Sequence, residues 1–137
     1  MDYKQQISTL TEAVIAQGGS DLHLIDGNRP VIRVSGELVT LLSEPPLSDA
    51  DMQGIIEVIL SAEQKKRFSE TKEIDFSWSY GNKTRFRGNG YLERGGLAIA
   101  LRLIPQQIKT IAELNLPPIL ETFAAKEQGF FLVVGPV

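Results

Sequence analysis

The stretch that most limits how this chain can fold is Glu73-Ile74-Asp75-Phe76-Ser77-Trp78-Ser79-Tyr80. Polar and apolar residues alternate without a break, so Ile74, Phe76, Trp78 and Tyr80 share one face. A period of two fits a strand buried on one side and exposed on the other. Gly81-Asn82 then supplies turn chemistry, and Thr84 to Tyr91 returns with Arg85, Arg87 and Asn89 opposite Phe86. Gly95-Gly96 marks a second turn before Leu97–Ile104, where Ala98, Ala100, Arg102 and Ile104 share a face, and Pro105 ends the run. Turns this short cannot hold a crossover helix, so the three strands run antiparallel.

The same pattern occurs once earlier. Ser20 to Ile25 alternates, Asp26-Gly27-Asn28 is a turn, Pro30 to Ser35 alternates again, and Gly36-Glu37 turns into Leu38–Leu42. Between and before the two meanders the apolar period changes to that of a helix. Ile7, Leu10, Val14 and Ile15 form one stripe from Asp2 to Gln17, stopped by Gly18-Gly19. After Pro45-Pro46, Ser48 with Asp51 opens a helix whose apolar face is Met52, Ile55, Ile56 and Ile59. Ser61-Ala62-Glu63-Gln64 is a capping box for a further short helix anchored by Phe68, and its Lys65-Lys66-Arg67 run reads as a solvated face. Trp78 and Tyr80 are expected to pack against helices. The expected fold over residues 1–105 is α+β: a largely antiparallel six-stranded sheet with flanking helices.

Beyond Pro105 the character changes. Thr110-Ile111-Ala112-Glu113 is a capping box leading into the hinge-like Leu114-Asn115-Leu116-Pro117-Pro118. A helix is expected from Pro118 to about Gln128, burying Ile119, Leu120 and Phe123. Gly129-Phe130-Phe131-Leu132-Val133-Val134-Gly135-Pro136 then reads as a buried strand of a parallel sheet. A buried strand running into glycine is how a phosphate-binding P-loop begins, which makes Gly135 and Pro136 its first positions. The Lys and Ser/Thr that complete such a loop do not follow, and taken alone the stretch fits a plain core strand better, since one Gly after an apolar strand is common. The organisation read from the sequence is a domain over 1–105, a linker over 106–117, and the start of a second domain over 118–137.

Composition narrows the chemistry. Among 137 residues there is no cysteine and a single histidine, His23. Disulfides, thiolate zinc sites and thiol catalysis are therefore excluded, and His23 cannot build a metal site alone. A net charge of −3 gives no long-range attraction to nucleic acid. Met1 to Gln6 is no signal peptide and no apolar run approaches a membrane span, so a cytosolic protein is expected.

Arg85, Arg87 and Arg102 are the candidate binding residues. Arg85 and Arg87 are two positions apart on one strand face, about 7 Å along the strand. If Leu97–Ile104 pairs with Thr84–Tyr91, Arg102 joins them. Guanidinium groups never lose their charge and offer rigid forks to phosphate oxygens. The competing reading is a solvated face in which Glu73, Asp75 or Glu93 supplies the counter-charges. His23 and Asp21 alternate on a strand with no nucleophile near them in sequence, so His23 reads as a surface or turn-packing residue. Glu73 and Asp75 share a strand face but nothing marks them as an acid/base pair.

Several segments together resemble the N-terminal half of the type IV pilus retraction ATPases, the PilT/PilU class of the secretion-ATPase superfamily. Gly18-Gly19-Ser20-Asp21-Leu22-His23-Leu24 is similar to the "(A/G)SDLHL" strand of that family, and Pro30 to Leu38 to its "PPxxRxxGxL" hairpin. Glu73 to Ser77 and Thr84 to Asn89 resemble "ExDFS" and "xRFRVN"; Leu101 to Pro105, Leu114 to Pro117 and Gly129 to Pro136 resemble "xRxIP", "LxLP" and the strand into "GPTGSGKS". No one piece is specific, but the series runs in order over nearly the whole chain. Val137 stands where the family has Thr, and Gly88 where it has Val, which is expected to loosen that strand position. The four-cysteine zinc site and long N-terminal extension of the assembly ATPases are missing, which favours the retraction branch.

The resemblance implies a PAS-like N-terminal domain carried on a RecA-like ATPase core, cut here at the start of Walker A, in a homohexameric ring. It implies ATP and Mg2+ as cofactors of the intact protein, with no tight binding by this stretch alone and no catalytic residue or metal ligand within it. It assigns Arg85, Arg87 and Arg102 to the ATP phosphates. Partners would be the protein's own RecA-like domain, neighbouring subunits and a pilus platform protein at the inner membrane, with a cytoplasmic, membrane-peripheral location. A free-standing PAS-like sensor or protein-interaction module is the alternative. Nucleic-acid binding is disfavoured by the acidic balance and the lack of exposed stacking aromatics.

Overall fold

The computed structural model describes residues 2–81, 84–105 and 108–136. It divides into two compact units, residues 1–106 and 107–137.

In the first unit, α1 (Tyr3–Ala16) is started by the Asp2 carboxylate, which accepts from the amides of Lys4 and Gln5. It buries Ile7, Leu10, Thr11 and Val14. Ile15, expected on this stripe, is exposed; it adjoins Val14, and consecutive helical positions lie about 100° apart. β1 (Asp21–Ile25), β2 (Val31–Val34) and β3 (Glu37–Thr40) form the first meander. α2 (Asp49–Ile59) and α3 (Ala62–Thr71) carry complete capping boxes at Ser48/Asp51 and Ser61/Gln64. β4 (Glu73–Tyr80), β5 (Thr84–Glu93) and β6 (Gly96–Ile104) form the second meander.

The strands make one six-stranded sheet in the order β3-β2-β1-β6-β5-β4, antiparallel at every pairing. The α+β fold with a six-stranded antiparallel sheet is thus as the alternation requires. Pairing of β1 with β6 joins the two meanders and puts these two strands at the centre. One face, carrying Leu22, Leu24, Ile32, Phe86, Leu97, Ile99 and Leu101, packs with the apolar stripes of α1 and α2 and with Phe68 of α3 into one core. Residues of the opposite parity form a second face that lies outside the core built by the described helices of this unit.

Two turns fall one residue earlier than the glycines suggest. The β2–β3 turn is Ser35-Gly36, at φ 50° and 89°, and the β5–β6 turn is Arg94-Gly95, also at 50° and 89°. Both residues of each are left-handed, as a two-residue type I′ hairpin demands; glycine marks only the second position. The expected Gly81-Asn82 turn falls partly outside the described residues, as do the start of the 106–117 linker and Val137. Trp78 is half-buried and packs on the rings of Phe86 and Tyr80, while the Tyr80 hydroxyl donates to Glu12 of α1 at 2.5 Å.

Gly88 is not a loosened position. It sits opposite Phe76 in the β4–β5 ladder, and a Cβ built on it would lie 2.2 Å from the Phe76 Cζ. The ring occupies the space a Val would need.

In the second unit, Thr110 and Glu113 make the expected reciprocal bonds, with Thr110 N donating to Glu113 Oε2 at 2.7 Å and Glu113 N donating to Thr110 Oγ1 at 3.2 Å. α4 is short (Ile119–Ala124) and buries nothing, leaving Ile119 and Phe123 exposed and Leu120 half-buried. The apolar run Phe130–Val134 is exposed and makes no strand. A parallel strand exists only by its ladder, and residues 108–136 contain no described strand to pair with it. Among the described residues, no helix is long and apolar enough to cross a membrane.

Candidate functional site: an arginine row on the open sheet face

The register places a line of side chains across all six strands on the uncovered face. Leu38, Arg33, Asp21, Arg102, Arg87 and Ser77 are successive cross-strand partners from β3 to β4. Arg87 and Arg102 are thus directly opposite, as β5–β6 pairing requires. Arg85 lies one step along β5, opposite Ile104 and Ser79. The next row in the other direction is His23, Ala100, Asn89 and Asp75. All three arginines expected from the sequence are therefore on one face.

Their surroundings differ. Arg85 donates to the Ser77 hydroxyl at 3.2 Å. Arg87 is exposed and has no side-chain partner among the described residues. Arg102 donates its Nε hydrogen to Asp21 Oδ1 at 2.8 Å, and its side chain remains 73% exposed. Glu73 and Asp75, the counter-charges expected on a merely solvated face, accept instead from the Asn89 amide at 3.5 and 3.3 Å.

Asp21 is the residue the sequence reading undervalued. It is buried although it belongs to the open face, because Arg33 and Arg102 flank it. Arg33 Nε lies 3.6 Å from Oδ2, and the Ser20 hydroxyl donates to the same oxygen at 2.7 Å. Burial pushes the carboxyl pKa up, but the hydrogen bonds from Arg102 and Ser20 and the Arg102 charge outweigh it and hold it below its ordinary 3.8. No local pattern reveals this pair, because Asp21 and Arg102 meet only through the β1–β6 closure. Arg33, the fourth arginine of the face, was visible in the alternation of β2 but had no assigned neighbour.

His23 is half-buried beside Asp21. Burial, aided by Arg33 and Arg102, lowers its pKa below 6.5 against the opposing pull of Asp21, so the ring is neutral at pH 7. Its buried Nε2 has no hydrogen-bond partner among the described residues. Together with Arg87, Arg102, Asn89 and Asp75 it borders a shallow depression of about 280 Å³ floored by Ala100. Gly135 and Pro136 belong to the second unit and are exposed.

Like charges directly opposite on a sheet repel. Arg87 and Arg102 hold that position, and among the described residues the one carboxylate that forms an ion pair with the row is Asp21, to Arg102 and Arg33. An anion carrying several oxygens would relieve the repulsion, and the free nitrogens present the right donors. Among the described residues no three acidic or histidine side chains gather to hold a metal ion.

No family model matches the chain. It is 36% identical over 120 residues to the type IV pilus retraction ATPase PilT of Pseudomonas aeruginosa, spanning 88% of this chain and 35% of that protein. It is 29% identical over 130 residues to the type IV pilus ATPase PilU of the same organism, spanning 95% of this chain and 34% of PilU. The fold superposes on a crystal structure of the pilus retraction motor PilT with bound ADP at a TM-score of 0.75 and 29% identity, covering 88% of this chain and 35% of that one. This chain spans about a third of the length of the relatives it matches. It is a homologue of the PilT-class type IV pilus retraction ATPases, corresponding over most of its own length to their N-terminal region.

Proposed function

We propose that this chain is the N-terminal domain of a hexameric pilus-retraction motor ATPase, and that it presents Arg85, Arg87 and Arg102 to the phosphates of ATP. The observation that carries this is the cross-strand pairing of Arg87 with Arg102 on an uncovered face, with Arg85 beside them. ATP is held by a RecA-like lobe that follows this region in the intact protein, where Gly135 and Pro136 begin the phosphate loop. Mg2+ takes its protein ligands from that lobe. Phosphate charge draws the arginine face inward while the γ-phosphate is present, and its loss on hydrolysis releases the face. The hydrolysis cycle is thereby converted into a rigid-body swing between neighbouring subunits. The motor works from the cytoplasmic side against a pilus platform protein of the inner membrane. ADP bound to the PilT motor supports a nucleotide for this family.

The test compares two proteins. The isolated 137-residue chain is expected to show no ATP hydrolysis, and a chain extended through an ATPase core to show it. Turnover by the isolated chain above contaminant level would overturn the assignment of roles.

A further inference from the structure

We infer that Asp21 is the positioning residue of the arginine row, fixing Arg102 by its Nε hydrogen so that both terminal nitrogens stay free to meet phosphate beside Arg87. This rests on the reading of the row as a phosphate-facing surface. The two oxygens of Asp21 divide the work. Among the described residues Oδ1 serves Arg102 alone at 2.8 Å, whereas Oδ2 takes the Ser20 hydroxyl at 2.7 Å and lies 3.6 Å from Arg33 Nε. Arg33 is itself braced, donating to the Gly36 carbonyl at 2.8 Å, so it is not a free competitor for Oδ1. Asp21 and Arg102 stand on the two central strands, and the ladder continues past them through Leu103 N to Ser20 O at 2.9 Å. The carboxylate is therefore a fixed post, and the guanidinium it holds loses little further freedom on binding.

A positioning role and a plain counter-charge role give opposite signs. Removing Asp21 adds one positive charge to the face, so a counter-charge alone would make the Asp21→Ala chain bind phosphate more tightly. Loss of positioning makes it bind more weakly in spite of that charge. The measurement is an NMR titration of the whole chain with inorganic tripolyphosphate at low salt. Asp21→Ala is expected to bind about threefold more weakly than the unmodified chain, the range set by freeing one long side chain. Equal or tighter binding overturns the inference. Arg87→Ala separates this from the reading beneath it. If Arg87→Ala weakens binding and Asp21→Ala does not, only the role of Asp21 fails; if Arg87→Ala has no effect, the phosphate-facing row fails and the inference with it. A second readout needs no substitution at Asp21. In the unmodified chain, 15N relaxation is expected to show Arg102 Nε rigid and Arg87 Nε mobile, and equal mobility of the two overturns the proposal even if Asp21→Ala does not fold.

Discussion

A side chain removed from one strand can be replaced by a ring from the next, and Gly88 with Phe76 is the case in this protein. Any side chain at 88 must displace an aromatic ring from the core side of the sheet. Gly88→Val is expected to lower stability by about 1–3 kcal/mol, the usual cost of overpacking, read as a lower urea midpoint with an unchanged slope. Stability unaffected by Gly88→Val would mean that Phe76 moves freely. His23 and Asp21 govern the acid side. Both have folded-state pKa values below their ordinary 6.5 and 3.8, so the unfolded chain binds more protons and stability falls with falling pH. The melting temperature is expected to hold above about pH 6.5 and to drop below it as the His23 ring must charge. A further drop below about pH 3.8 is expected from Asp21 together with Asp51, whose carboxyl the Ser48 hydrogen bonds also hold below its ordinary value. In His23→Gln the first drop disappears and the second remains; a first drop that persists would assign it to another group. At this scale the shared face of Arg85 and Arg87 was legible from alternation alone, while that of Arg102 depended on the pairing of β5 with β6. Asp21 was not legible as their partner, because its meaning comes from a strand far away in sequence.

Helices and hairpins carry their own signals, and the closures between them do not. The boxes at Ser48 and Ser61 were readable from four residues each, and the structure forms both with reciprocal bonds. Ser48→Ala and Ser61→Ala are each expected to cost about 1 kcal/mol, checked by chemical denaturation; a cost near zero at either would mean the helix end is held by packing instead. The hairpins within each meander followed from turn residues, although the left-handed Ser35 and Arg94 shifted two turns by one position. Pairing of β1 with β6 has no local mark, since it depends on two apolar faces sharing one core. The opposite failure occurs at Phe130–Val134. Apolarity announced a buried strand, but burial and a ladder need neighbours, and this unit supplies none among its described residues.

For the molecule as a whole, the two units differ in what holds them together. Residues 1–106 share one continuous core of α1, α2, α3 and the inner sheet face, while α4 and the run after it bury no residue. Hydrogen exchange is expected to be slowest at Leu22, Leu24, Ile99 and Leu101, and fast throughout Phe130–Val134, where no ladder protects the amides. Protection of that last run in the isolated chain would show a strand pairing that the fold does not contain. The central claim is that guanidinium groups on the open sheet face meet ATP phosphates. Arg87 tests it most directly, because it has no side-chain partner among the described residues and its removal leaves no buried charge behind. The decisive measurement is the ATP hydrolysis rate of Arg87→Ala in a protein that continues this chain through its ATPase core. A fall of about tenfold or more with an unchanged melting temperature is the expected result, in line with losing one donor to developing phosphate charge. A rate equal to that of the unmodified protein would return the arginine row to an ordinary solvated face.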